Sequence, residues 1–205
     1  QMVIAYYGTL RLGAVAVSTN PLYHAHELEV QLKDSAAETL VAVDMFYPVI
    51  KQALPKTLVK SLILCGIKDY LPFPLNLLYP IKAKIEKQWV SVKRVPPIHD
   101  FLALIAHESD ARPDVPVSSK DTAILQYTGG TTGIPKGAIL THRNLVVNAE
   151  QCRAWLTVRN EGEERILSVI PFFHVYGMTT AMNLGVLIGA ELILLPKFHT
   201  REVLD

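Results

Sequence analysis

A segment rich in glycine and threonine, residues 128–137, has the side chains and the backbone freedom that binding a polyphosphate requires. It reads Thr-Gly-Gly-Thr-Thr-Gly-Ile-Pro-Lys-Gly and follows an apolar stretch at 122–127. Glycine lets the backbone come close to a ligand, so that successive N–H groups can converge on phosphate oxygens. Threonine hydroxyls add donors that can also face Mg²⁺, and the lysine adds a cation. The segment predicts a phosphate-binding loop whose contacts come from Thr128, Gly129, Gly130, Thr131, Thr132, Gly133 and Lys136.

Two better-known phosphate loops do not fit this segment. A Walker A loop needs glycine directly before its lysine and serine or threonine directly after it, whereas Lys136 lies between Pro135 and Gly137. A dinucleotide-binding fingerprint needs a G-x-G-x-x-G spacing that the glycines here do not have. A flexible surface turn is the remaining alternative. So many glycines and threonines, with a lysine, after an apolar strand make it the weaker interpretation.

A second motif, residues 171–178, reads Pro-Phe-Phe-His-Val-Tyr-Gly-Met. It follows a predicted apolar strand at 165–170 and precedes a predicted apolar helix at 178–189. In α/β proteins such strand ends are where ligands bind. His174 is either a histidine satisfied inside the core or a hydrogen-bond donor in a site, and the aromatic residues and glycine around it favour the site.

The loop resembles the phosphate-loop signature of the adenylate-forming superfamily, which comprises acyl-CoA synthetases, luciferases and the adenylation domains of peptide synthetases. Gly130 is a mild departure, because the usual form has serine or threonine at this point or beside it. The continuation Thr-His-Arg-Asn-Leu at 141–145 is also similar to the family, and residues 13–28 resemble it more weakly. The motif around His174 is similar to that of ligases that join fatty or aryl acids to coenzyme A.

The resemblance implies an enzyme that joins a fatty acid to the α-phosphate of ATP, with Mg²⁺, and then transfers the acyl group to coenzyme A. In that role Lys136 and His174 are the catalytic residues, the loop holds the β- and γ-phosphates, and Thr128 is the Mg²⁺ ligand. The expected partners are the fatty acid, ATP and coenzyme A. The expected acyl pocket is bordered by His174, Val175, Tyr176 and Gly177.

Two other functions remain open. The motif at 171–178 does not separate a fatty-acid ligase from an aryl-acid ligase or a luciferase-like adenylating enzyme. A binding module for nucleotide or lipid is the alternative outside the enzymes. The family's adenine and metal segment, ribose-binding aspartate, hinge and C-terminal lysine domain do not occur in the sequence, and both ends look cut. We therefore expect a fragment of the large N-terminal domain that does not catalyse the whole reaction alone.

The elements that must position these residues alternate between strands and helices, which is typical of an α/β fold with parallel-rich sheets flanked by helices. We predict a first α/β subdomain at 1–120, with an insertion at about 69–97, and the start of a second at 121–205 that carries the loop. Helices are predicted at 2–12, 26–34, 46–54, 81–90, 98–107, 143–156 and 178–189. Strands are predicted at 13–18, 39–43, 58–64, 122–127, 138–141, 165–170 and 191–195.

The insertion is rich in proline, aromatic and basic residues. A helix at 81–90 would place Ile81, Ile85 and Trp89 on one face and the lysines largely on the others. Two interpretations are nearly balanced: a peripheral membrane contact through residues 71–90, and a surface insertion with a solvated basic face. The shortness of the helix tilts the balance towards the second.

Composition argues against several other classes of protein. The net charge is +1, so the chain lacks the basic excess that is typical of nucleic-acid-binding proteins. Cys65 and Cys152 lie far apart, so a reducing, cytoplasmic location fits the sequence better than a secreted one. The cysteines have no metal-ligand spacing and the histidines form no HxxxH or HExxH motif, so the sequence does not support a zinc site. The most apolar window, 179–195, contains Asn183 and Glu191 and predicts a buried helix and strand rather than a membrane span.

Overall fold

The structure is a computed structural model that describes residues 1–128, 135–157 and 160–195. The chain folds into two compact units. The first comprises Pro21–Arg112 together with Gln1, and the second comprises Met2–Asn20 and the residues from Pro113 onward. Residues 2–20 therefore pack with the part of the chain that carries the phosphate loop. The division into subdomains at residue 120 stays a prediction.

The elements alternate along the chain as the sequence predicts. The helices are α1 (Met2–Arg11), α2 (Ala25–Asp34), α3 (Tyr47–Ala53), α4 (Leu75–Ile85), α5 (Phe101–His107), α6 (His142–Trp155), α7 (Val175–Gly177) and α8 (Leu184–Leu187). The strands are β1 (Ala16–Ser18), β2 (Thr39–Val43), β3 (Ser61–Cys65), β4 (Ile98–Asp100), β5 (Thr122–Thr128), β6 (Lys136–Thr141), β7 (Arg165–Ser168) and β8 (Glu191–Leu194). The predicted α/β fold with parallel-rich sheets is confirmed.

The first unit is built on a parallel sheet in the order β2-β3-β4. Its central strand, β3, is apolar and carries Leu62 and Leu64 into the core, as expected of a parallel strand covered by helices. α2 and α3 pack against each other and supply the rest of this core. The buried residues of the cluster are Leu28, Leu32, Ile50, Ala53, Leu62 and Leu64.

Helix α4 begins and ends earlier in the chain than the sequence predicts. The prediction of a helix at 81–90 is wrong at both ends, since α4 spans Leu75–Ile85. Proline usually marks a helix boundary because it lacks an N–H, but Pro80 is accommodated inside α4. The helix stops because Lys87 has a φ of 57°. The N–H of Gln88 then donates to the Ala83 carbonyl at 2.8 Å, which is the closing bond of a Schellman turn.

The predicted helix at 98–107 is a strand followed by a helix. Ile98 pairs with Leu62 of β3, so β4 extends the parallel sheet before α5 begins at Phe101. The Asp100 carboxylate caps α5, because its Oδ1 accepts from the Ala103 N–H at 3.0 Å. A strand of three residues directly before a helix is too short for the hydrophobic period to separate the two.

The described residues of the second unit form two sheets. In one, β1 pairs with β5 in parallel and β6 pairs with β5 antiparallel; in the other, β7 and β8 are parallel. α7, a π-helical segment Met178–Asn183 and α8 follow one another without a break, so this helical run begins three residues before the predicted start at 178. Buried residues of the unit's core are Tyr6, Ala123, Ile124, Leu145, Met178 and Met182.

A hydrogen bond between Tyr7 and Asn183 crosses this core. The Tyr7 hydroxyl donates to Asn183 Oδ1 at 2.8 Å, and the Asn183 residue is 8% exposed. Burial raises the pKa of Tyr7 above its ordinary value, so the hydroxyl stays protonated and remains a donor. The bond ties α1 to the π-helical segment, and it joins residues that are far apart in sequence.

Replacing Tyr7 with phenylalanine should lower the free energy of unfolding by about 1–3 kcal/mol, because a buried amide oxygen loses its donor. Chemical denaturation of the intact protein measures the change. The control is Tyr70→Phe, at a side chain 50% exposed, which should stay within about 0.5 kcal/mol of the unsubstituted protein. Equal stability of the two variants would show that the Tyr7 bond contributes nothing.

Both cysteines are free, and burial raises the pKa of the Cys65 thiol to about 11. Cys65 is therefore a small buried apolar residue, whereas Cys152 is partly exposed. Across residues 1–128, 135–157 and 160–195, no three His, Cys, Asp or Glu side chains are grouped so that they could hold a metal ion. In the same ranges no helix has both the length and the apolar character needed to cross a bilayer.

Candidate functional site

The predicted phosphate loop connects the two strands of an antiparallel hairpin. Thr128, the last residue of β5, lies directly opposite Lys136, the first residue of β6. Residues directly opposite in an antiparallel pair project their side chains from the same face of the sheet. The hydroxyl of Thr128 and the ammonium of Lys136 therefore flank the mouth of the loop on one face. Five of the predicted contacts lie outside the described residues: Gly129, Gly130, Thr131, Thr132 and Gly133.

Lys136 is an exposed cation. Among the residues that the structure describes, none of the carboxylates forms an ion pair with it. An ammonium that no described acid neutralises, next to a glycine-rich loop, suits an anionic ligand. This arrangement fits the phosphates of a nucleotide.

Gly137 lets an aromatic ring lie across the hairpin on the opposite face. It pairs with Tyr127, and a Cβ added at Gly137 would stand 3.1 Å from Cζ of the tyrosine. Aromatic rings often cover a glycine on the neighbouring strand in this way. The contact holds the base of the loop and leaves the Thr128 and Lys136 face clear of the ring.

His174 caps the helical run that follows the second motif. Its Nδ1 accepts from the Tyr176 N–H at 3.2 Å, one of the amides that a helix leaves without a partner. Since Nδ1 accepts, the proton of the neutral ring is on Nε2. His174 is exposed, so this Nε2–H is open to a ligand. The alternative of a histidine satisfied inside the core is wrong.

The other predicted pocket residues differ in their surroundings. Val175 and Tyr176 are exposed, whereas Gly177 is buried. A Cβ at Gly177 would lie 2.7 Å from the carbonyl oxygens of both Ile170 and Pro171. Gly177 therefore allows the first turn of the helical run to pack against the backbone that follows β7. Its glycine is explained by this close approach.

Gln126 connects the two motifs, and the sequence reasoning did not single it out. Its Nε2 donates to the Phe173 carbonyl at 3.2 Å, directly before His174. Gln126 and Thr128 are two residues apart in β5, so their side chains project from the same face of the sheet. The segment of His174 and the Thr128–Lys136 pair thus lie on one face. In the sequence, the signal that could have found Gln126 is a polar residue inside an apolar strand. In the structure Gln126 is 7% exposed.

A groove of about 430 Å³ opens on this side of the second unit, and Val175 is among the residues that line it. Leu140 and Met178 form part of its apolar lining, while Asn144, Asn148 and Gln151 supply polar groups from α6. The groove is large enough for part of a small ligand.

Comparison with known proteins shows the family of the chain. The family model of the AMP-binding enzymes matches residues 1–205. A long-chain-fatty-acid–CoA ligase of Bacillus subtilis is 43% identical over 206 residues, which cover 100% of this chain and 37% of that protein. One of Salmonella typhimurium is 34% identical over 197 residues, or 95% of this chain and 35% of that protein. The chain belongs to the AMP-binding enzyme family.

Solved structures show the same fold. A long-chain-fatty-acid-CoA ligase from Archaeoglobus fulgidus superposes with a TM-score of 0.75 at 30% identity, covering 97% of this chain and 34% of that one. A luciferase from Phrixothrix hirtus has a TM-score of 0.71 at 19% identity and covers 96% of this chain and 34% of that one, so it supports the fold alone. The chain thus spans little more than a third of the length of such relatives.

Proposed function

We propose that this chain is part of an enzyme that activates a medium- or long-chain fatty acid with ATP and transfers it to coenzyme A. The observation that carries the proposal is the hydrogen bond from Gln126 to the Phe173 carbonyl, which brings the base of the phosphate loop and the segment of His174 to one face. The similarity to proteins named long-chain-fatty-acid–CoA ligase favours a fatty acid over an aryl acid.

In the proposed reaction a carboxylate oxygen attacks the α-phosphorus of ATP, the bond to the bridging oxygen of the β-phosphate breaks, and pyrophosphate leaves. The sulfur of coenzyme A then attacks the acyl carbon, its proton passes to solvent, and AMP leaves with the oxygen that came from the acid. Two anions must meet in the first step, so fixed cations and hydrogen-bond donors lower its barrier.

Each predicted residue has a distinct part in this proposal. Lys136 binds the phosphates at the mouth of the loop, together with the backbone and hydroxyls of residues 128–133. The Thr128 hydroxyl is an oxygen donor of the kind that suits Mg²⁺, and the ion would offset part of the triphosphate charge. The Nε2–H of His174 donates to the carboxylate or to the phosphate it attacks. The acyl pocket is bordered by His174, Val175, Tyr176 and Gly177, and the groove beside Val175 takes the apolar part of the acid.

The proposal also includes a cellular setting. We place the enzyme in the cytoplasm, with peripheral contact to a membrane through residues 71–90. An acid that dissolves poorly in water is a reason for an enzyme to work at a lipid surface.

Isotope exchange between pyrophosphate and ATP tests the acid specificity. The intact protein should catalyse exchange with fatty acids and much more slowly with aryl acids. No response to any fatty acid would contradict the proposal, and a response to aryl acids alone would favour the aryl-acid ligase.

The proposed role of His174 as a hydrogen-bond donor to the substrate can be separated from its role as a helix cap. In His174→Asn the amide oxygen can still accept from the Tyr176 N–H, so stability should be kept, whereas His174→Ala loses the cap and about 1 kcal/mol. Both variants lack the Nε2 donor, and the exchange rate should fall by at least about tenfold in each, which corresponds to a hydrogen bond to a charged group. A normal exchange rate in His174→Asn would contradict the proposed donor role and would mean that His174 acts only as a helix cap.

A further inference from the structure

The outward side of α4, in the first unit, carries a stripe of apolar side chains. Its residues recur at the spacing that places them on one side of a helix, and they are 53–77% exposed. They are Leu77, Leu78, Ile81 and Ile85, and we call them the α4 stripe. The opposite side carries Ala83, which is 1% exposed. The helix is therefore anchored by one side and presents an apolar stripe on the other.

Aromatic residues extend the α4 stripe at both ends. Phe73, which is 79% exposed, lies just before the helix. At the other end the turn at Lys87 reverses the chain, so that the Trp89 N–H donates to the Ala83 carbonyl at 3.1 Å. The Trp89 ring then lies against the last turn, with the Lys84 Nζ 5.6 Å from its centroid. Trp89 is 40% exposed. An aromatic ring with one apolar and one polar side favours the boundary between water and lipid.

Lysines border the α4 stripe. Lys82 and Lys84 alternate with Ile81 and Ile85 along the helix, so one lies on each flank of the stripe. Both are exposed, and Lys87 adds a third exposed ammonium at the end of the helix. Glu86 Oε1 is 4.0 Å from the Lys82 Nζ, a weak surface pair. Lysine side chains can lay their apolar stems along such a stripe while the ammonium groups rise to a negatively charged layer.

We infer that the α4 stripe, with Phe73 and Trp89 at its ends, docks on the surface of an anionic lipid bilayer. The 11 residues of α4 are too few to cross a bilayer, for which about 20 are needed. The helix instead lies in the plane of the interface, with its apolar stripe among the upper acyl chains and Lys82, Lys84 and Lys87 at the headgroups. The apolar stripe and its cationic border together match a surface that is apolar below and anionic above. The inference rests on and deepens the membrane contact proposed above for residues 71–90, and it does not depend on the proposed catalysis.

Sedimentation of the intact protein with lipid vesicles, without ATP or acid, tests the inference. The protein should bind vesicles that contain phosphatidylserine, bind pure phosphatidylcholine weakly, and release as salt is raised. Each lysine near an anionic surface strengthens binding about fivefold, so the variant with Lys82→Glu, Lys84→Glu and Lys87→Glu should bind at least about 100-fold more weakly. The variant with Leu77→Ser, Ile81→Ser and Ile85→Ser should also lose binding.

Matched controls come from other exposed residues. The variant with Lys51→Glu, Arg112→Glu and Lys120→Glu has the same charge change, and Leu22→Ser and Leu58→Ser remove other exposed leucines of the first unit; all should bind as the unsubstituted protein does. Absence of binding to anionic vesicles, or equal losses in the controls, would overturn the inference. So would a marked fall in the melting temperature of the serine variant without vesicles, since that would show another part of the protein covering the stripe.

Discussion

Substitution of Gly177 by alanine should destabilise the second unit strongly. The new Cβ would lie 2.7 Å from two backbone carbonyl oxygens, those of Ile170 and Pro171. Backbone atoms cannot rotate away as a side chain can, so either the backbone after β7 or the first turn of the helical run must move. We expect a loss of about 3 kcal/mol or more in the free energy of unfolding, at the upper end of overpacking effects. Chemical denaturation measures it.

Gly8→Ala is the control for this substitution. Gly8 lies inside α1, and a Cβ there would meet nothing within 4 Å. Alanine should therefore stabilise this helix, by about 0.5–1 kcal/mol relative to glycine. If Gly177→Ala unfolds at the same denaturant concentration as Gly8→Ala, the close packing of the helical run on the backbone after β7 is wrong.

Loss of the Lys136 ammonium should impair activation without unfolding the protein. Lys136 is exposed at the mouth of the hairpin loop, so alanine at this position leaves the fold intact. A charge-assisted hydrogen bond to phosphate is worth about 1.5–3 kcal/mol, and its loss in the transition state lowers kcat/KM about 10- to 150-fold. Steady-state kinetics with ATP as the varied substrate measure the change.

The kinetic effect of Lys136→Ala needs two comparisons. Lys120→Ala removes another exposed lysine of the second unit and should leave kcat/KM unchanged. Lys136→Arg keeps the charge but changes its shape, and should recover part of the loss. Normal kinetics in Lys136→Ala would mean that the ammonium points to solvent during the reaction.

The two motifs were recognisable from the sequence because each is local. Residues 128–137 and residues 171–178 are each a short consecutive segment, so composition and spacing are enough to find them, whereas the helix cap made by His174 was not predicted. Strands such as β2 are also predictable, because an apolar run bounded by turn residues has few alternatives.

The rest depends on contacts between distant residues. The bond from Gln126 to Phe173 joins positions 47 apart, and the pairing of β1 with β5 brings residues 2–20 into the second unit. Neither leaves a periodic pattern in the sequence. The bounds of α4 differ from the prediction for another reason: Pro80 lies inside the helix, which buries Ala83 on one side. Rules based on local sequence treat proline as a helix boundary and do not include the burial of a residue such as Ala83.

Transfer of labelled oxygen tests the proposed activation most directly. The intact protein would be given a fatty acid with ¹⁸O in its carboxylate, together with ATP, Mg²⁺ and coenzyme A, and the nucleotide product would be examined by mass spectrometry. If the carboxylate attacks the α-phosphorus, the AMP formed carries one ¹⁸O atom from the acid. Unlabelled AMP, or ADP as the nucleotide product, would contradict the assignment of this site to adenylate formation.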